Sequence, residues 1–197
     1  MIKLAVTKFI YDLVIPKIMT RGNERRILDQ CAPALTGVKT GSLLKVDRMV
    51  CNDTLDLLAS FENDDVGTKV LCTRGSFSLI LVYRHAMLAK VLGDHDTNKF
   101  LSGMGYHGSM SDYLARLSER MHNNIQHELG IFLGYPLCDV KGFMEKHGRG
   151  YLASGCWRVY GDVAMAMRLF ARIRESRHRC LTLFDSGLSL QSAVAAF

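Results

Sequence analysis

The sequence predicts an α+β fold, a single domain in which a small mixed sheet has helices packed on it. Three observations carry this reading. Two short apolar runs rich in β-branched and aromatic residues, 76–83 and 154–160, read as strands. Two longer segments, beginning at Ser109 and Asp162, repeat apolar residues at helical spacing. The elements follow one another without a regular strand–helix–strand cadence and without a phosphate loop after the first strand, which points to a small mixed sheet with helices packed on it. With 197 residues the chain has the length of one domain, 1–197, able to bury about 70% of its unfolded surface.

Residues 4–19 place Leu4, Val6, Phe9, Ile10, Leu13 and Val14 near helical spacing, and Pro16 ends or kinks that helix. Asn23 caps a second helix over 23–30, with Glu24, Arg25 and Arg26 on its exposed turn and Cys31-Ala-Pro33 breaking it. Residues 35–46, LTGVKTGSLLKV, read as a strand whose glycines mark a bulge or a close backbone approach. A short helix over 54–61 turns Leu55, Leu57 and Leu58 inward, and an acidic turn follows at 62–67.

Strand 76–83, SFSLILVY, is apolar enough to be central. A helix over 86–92 and a short turn at 98–101 lead to the loop of Gly103, Gly105 and Gly108. Behind serine caps, helix 109–125 presents Met110, Tyr113, Leu114, Leu117, Met121 and Ile125 as one stripe. Residues 128–135 are expected to form a strand stopped by Pro136, and 138–147 a helix ended at Gly148. Strand 154–160 precedes a helix opened by Asp162, whose Val163, Ala166, Met167, Phe170 and Ile173 share a face. Its second half is basic, and Leu183, Phe184, Leu188 and Leu190 dock the tail.

Hydrophobic residues make up 48% of the chain, charged ones 22%, and prolines number 3, a composition that excludes a disordered class. Lys3, Lys8, Asp12, Pro16 and Lys17 interrupt the apolar N-terminal stretch, so neither a signal segment nor a membrane span fits. The expectation is a cytoplasmic protein with no membrane partner. Six dispersed cysteines without a C-x-x-C pair read as small core residues rather than disulfides or a zinc site, so no metal is expected. The net charge of +6 steers the protein toward acidic partners.

Four stretches carry a resemblance: CAPALTGVKTGSLLKV at 31–46, SLILVYR at 78–84, HELGIFLGYPLCDVKGF at 127–143 and GCWRVYGD at 155–162. Together they resemble the bacterial family catalogued as domain of unknown function 3793, over about 31–180. The resemblance implies a bacterial source among anaerobes and a setting among redox genes such as flavodoxins, with no established mechanism. The family pattern matches Cys31, Pro33, Leu35, Gly37, Lys39, His127 and Glu128. Cys156 stands where the family has tyrosine, and Arg158 where it has lysine, which keeps the cation but changes its geometry.

Cys31 is the sharpest nucleophile or redox candidate, because Lys39 lies eight residues on and a nearby cation favours the thiolate. His127-Glu128 is the candidate acid/base pair, although Ile131 rules out a zincin motif. Two Glu-x-x-His pairs, Glu119/His122 and Glu175/His178, are more simply surface charges than metal ligands. The glycine cluster matches G-x-G-x-x-G, but without a preceding strand.

Two functions follow as expectations. The first is a redox-associated protein acting with an acidic, flavodoxin-like electron carrier or an unidentified bound cofactor, with Cys31, Lys39, His127 and Glu128 near its site. The second is a non-catalytic binding or regulatory module whose basic face, from Arg168 to Arg179, meets nucleic acid or protein.

Overall fold

The computed structural model describes residues 20–61, 65–122, 124 and 126–197, so the helix expected over 4–19 lies outside the described residues. Helix α1 (Arg21–Leu35) opens at Thr20, whose hydroxyl accepts the Asn23 amide. It runs straight through the Cys31-Ala-Pro33 segment expected to break it. Pro33 sits in the final turn, where its missing N–H costs one intrahelical bond, while Cys31, Ala32, Ala34 and Leu35 are all buried. Tertiary burial outweighs the local breaker. The helix end is then clamped by Arg84, which donates to the carbonyls of Ala34 (3.0 Å) and Leu35 (2.9 Å).

Strands β1 (Gly41–Asp47), β2 (Val66–Arg74) and β3 (Phe77–Arg84) form the sheet in the order β1-β3-β2. It is small, as expected, but antiparallel in both pairings rather than mixed. Strand β2 has no counterpart among the expected elements. Lys69, Thr68 and Thr73 break its apolar alternation, and a bulge between Val70 and Cys72 puts the consecutive Leu71 and Cys72 into one core. The bulge expected in β1 belongs to β2, and 36–40 is a turn, with Gly37 at φ +73°.

β3 is central, as its composition predicts. Leu79, Leu81 and Tyr83 face one helical layer and Ile80 and Val82 the other, the alternation of a strand buried on both sides. The first layer holds α3 (His85–Gly93), α4 (His95–Ser102), α5 (Met110–Met121), α6 (Leu129–Phe132) and α7 (Leu137–Glu145). The second holds α1, α2 (Cys51–Ala59), α8 (Val163–Asp185) and α9 (Leu190–Ala195). Arg177 pairs with Asp29 at 2.6 Å, and Arg25 meets both carboxylate oxygens of Asp185 at 3.0 Å, fastening α1 to α8.

Two expected strands turn out otherwise. Residues 128–135 contain the one-turn helix α6, because a short continuous apolar run has no period that separates helix from strand. Its end is closed by Gly134 at φ +80°, packed against Thr40, and by the Tyr135 amide donating to the Gly130 carbonyl at 2.8 Å. Residues 154–160 split into a hairpin, β4 (Ala153–Ser154) against β5 (Arg158–Val159), joined by Gly155, Cys156 and Trp157. Gly155 lies so close to the Phe170 ring that a Cβ has no room. The hairpin covers a third cluster in which Val38, Trp157 and Val159 pack on Ala166, Phe170 and Ile173 of α8.

Candidate functional site

A cleft of about 420 Å³ opens between the turn into α6, helix α7 and the β4–β5 hairpin. One wall is aromatic. Tyr135 stacks on Trp157 with ring centres 4.6 Å apart and planes 25° from parallel, and Trp157 in turn meets Phe170 edge-on at 4.4 Å. Across the cleft, His127 meets Phe143 edge-on at 5.1 Å. Leu129, Leu133 and Val140 supply the apolar floor.

Trp157 is held by Asp139, a carboxylate at the start of α7 that is only 3% exposed. One of its oxygens accepts the indole N–H of Trp157 at 2.8 Å. The other accepts the backbone amides of Tyr160 (2.7 Å) and Gly161 (2.8 Å). Three N–H donors satisfy this acid, with the Cys138 thiol a further, longer donor at 3.9 Å, so it serves as a pin between α7 and the hairpin rather than as a free base. Gly161 is required beside it, because a Cβ there would lie 2.6 Å from the Cys138 sulfur.

The cations are arranged differently. Lys39 follows the clamped end of α1, its backbone amide donating to the Pro33 carbonyl at 2.9 Å while Val38 packs into the Trp157 cluster. Its ammonium stands 4.9 Å from the centre of the Tyr135 ring. Among the described residues no carboxylate or carbonyl pairs with it. Burial pushes this amine down to about 8, against smaller opposing effects of Cys156 and Cys31. Burial likewise pushes the Tyr135 hydroxyl up to about 12, reinforced by Cys156. Arg158 lines the cleft, lies over the Phe143 and Tyr151 rings and donates to the Gly148 carbonyl, again without a carboxylate.

The four residues expected at a site separate into two pairs. Lys39 and His127 meet the walls of the cleft: Lys39 over Tyr135, and His127 in the lining itself. Cys31 lies close enough to Lys39 to act on its charge but is fully buried in the core between α1 and the sheet. Burial drives its thiol upward, the direction opposite to that of a nucleophilic thiolate. Glu128 turns away from His127 into the other core, where it pairs with Arg120 at 2.5 Å and accepts the Tyr106 hydroxyl at 3.1 Å. Tyr135, Asp139, Phe143, Cys156, Trp157 and Arg158 were not singled out by spacing. The signal for them lay in the position of the single tryptophan, in the stretch 155–162 beside the Tyr135–Asp139 segment.

A second hollow, of about 570 Å³, lies between the end of α1 and α9, but its cation Arg84 is already committed to the α1 carbonyls. Of the Glu-x-x-His pairs, Glu119 ion-pairs with Arg116 at 3.3 Å and His122 bonds the Ser118 carbonyl at 2.8 Å, as helix-surface groups do. No helix among the described residues is long and apolar enough to cross a membrane.

Comparison with curated proteins and with solved structures returns no match. The family model described as Protein of unknown function (DUF3793) matches residues 27–194, which take in both helical layers, the sheet and every residue of the cleft. The chain belongs to that family.

Proposed function

We propose that this protein binds an anionic small molecule carrying a planar ring, in the cleft beneath the β4–β5 hairpin. This is the bound-cofactor form of a redox-associated role. One observation carries it: a stacked Tyr135–Trp157 wall is flanked by Lys39 and Arg158, two cations without carboxylate partners among the described residues, while Asp139, the one acid among the described residues lining the cleft, is consumed by three N–H donors. Desolvating a lysine without a counter-charge costs stability, and the cost is recovered when an anion arrives. The volume of about 420 Å³ suits a molecule of mononucleotide size. The exposed, carboxylate-free Arg168, Arg172 and Arg174 of α8 support an acidic electron carrier as the macromolecular partner.

Trp157 is the only tryptophan, so its fluorescence reports on the cleft alone. Titration with flavin mononucleotide is expected to quench it with an affinity about tenfold or more above that of riboflavin, which has the ring but lacks the phosphate. Equal affinities, or no quenching by either, would refute the proposal.

A further inference from the structure

At the end of α7 the chain turns through His147, Gly148 and Gly150, all at positive φ, toward the β4–β5 hairpin. From 146 to 160 it carries no aspartate or glutamate, against Lys146, Arg149 and Arg158. No carboxylate among the described residues pairs with any of the three. Two large side chains of the same stretch are exposed, Tyr151 at 46% and Leu152 at 66%. The patch is held in place. The Leu152 amide donates to the Val159 carbonyl at 2.8 Å, and the Arg158 guanidinium lies over the rings of Tyr151 (5.2 Å) and Phe143 (5.7 Å) while donating to the Gly148 carbonyl. Phe143 and Arg158 also line the cleft, so the patch forms part of its rim.

We infer that this patch is the docking surface for an acidic protein, which settles against the mouth of the cleft. The inference rests on the reading of an acidic electron carrier as partner and names where on the chain it docks. Arginine and tyrosine are enriched at protein interfaces, and an exposed leucine gains only when a partner covers it. A phosphate backbone gives Leu152 nothing to bury against, which speaks against nucleic acid. A second copy is disfavoured as well, because a two-fold contact sets the cations of one patch against those of the other, between chains of net charge +6. An acidic protein surface meets both needs: its carboxylates find the cations, and its apolar atoms cover Tyr151 and Leu152. The contact of Arg158 with the Tyr151 ring fixes both side chains in advance and lowers the ordering cost of docking. Arg168, Arg172 and Arg174 of α8 add to the field that draws an acidic protein in, a long-range effect that needs no contact.

The test uses the full chain and a flavodoxin as the acidic probe, with binding read by surface plasmon resonance at low ionic strength. Leu152→Ser combined with Arg149→Ser is expected to weaken binding about tenfold or more. Circular dichroism and Trp157 emission stay unchanged, which shows that this variant is folded. Arg168→Ser combined with Arg172→Ser is expected to cost about threefold, in the association rate alone. If the α8 pair abolishes binding and the hairpin pair leaves it intact, the docking surface is overturned and the carrier reading stands. No binding of flavodoxin by the parent overturns both, while quenching of Trp157 by flavin mononucleotide still judges the cleft by itself. A duplex DNA bound more tightly than flavodoxin, and weakened by the hairpin pair, overturns the acidic protein in favour of nucleic acid.

Discussion

Glu128 is a buried charge and Lys39 a partly buried one, and the protein treats them in opposite ways. Glu128, 1% exposed, receives a guanidinium at 2.5 Å and a phenol at 3.1 Å, and the rings around it belong to the core shared by α3 to α7. Lys39 lies over an aromatic face with Cys156 and Cys31 near enough to act on its charge, and no carboxylate among the described residues pairs with it. The first arrangement is complete in itself; the second is complete only with a further negative charge. A buried charge with every partner in place reads as architecture, and one left short reads as a binding site.

The largest expected effect breaks the complete side of this comparison. Glu128→Ala strands the Arg120 guanidinium and the buried Tyr106 hydroxyl, and urea denaturation is expected to show a loss of about 3 kcal/mol. Binding of ring anions to the folded fraction should be unchanged. Asp139→Ala comes next, since it leaves the Trp157 indole and two backbone amides without an acceptor; a loss of about 2–3 kcal/mol is expected, together with a shift of the Trp157 emission.

Substitution on the incomplete side should have the opposite sign. Lys39→Met removes an uncompensated ammonium, so the variant is expected to be about 1–2 kcal/mol more stable than the parent at pH 7. The pH dependence follows from the lowered basicity. Between about 8, where the folded chain sheds the proton, and 10.5, where the unfolded chain does, the unfolded state binds more protons and the parent gains stability relative to the variant. The gap should therefore close over that window, as paired denaturation curves will show.

The smallest effect concerns the thiols. Iodoacetamide is expected to modify Cys156 and Cys138, which are exposed, and to leave Cys31, Cys72 and Cys180 untouched until the chain unfolds. Rapid labelling of Cys31 in the folded protein would contradict its placement in the core.

Much of the fold was legible where pattern and burial agree. The stripe Tyr113, Leu114, Leu117 and Met121 announced α5, and SFSLILVY, rich in apolar, aromatic and β-branched residues, announced a central strand, since a strand that is apolar without alternation is buried on both faces. What escaped was decided by distant partners. The run Leu129–Phe132 carries no period, and its helix is set by Gly134 and by packing. Pro33 stays helical because its neighbours are buried.

The site divides in the same way. Lys39 and His127 were legible as titratable residues within family-like stretches, and the structure places His127 in the lining of the cleft and Lys39 over its Tyr135 wall. Cys31 and Glu128 carried the same local signal, but burial, which local sequence does not encode, commits them to the two cores. The Tyr135–Trp157 stack joins residues 22 positions apart through Asp139, and no spacing rule connects them.

The most direct measurement is the affinity of flavin mononucleotide, read by Trp157 fluorescence at pH 7 and pH 9.5, for the parent and for Lys39→Met. If the unpaired charge of Lys39 is held for an anion, the parent binds more weakly by about tenfold or more at the higher pH, because the amine has lost its proton. The variant binds weakly at both. Equal affinity in the parent and the variant, with the same pH dependence, would contradict a role for Lys39 in holding the ligand.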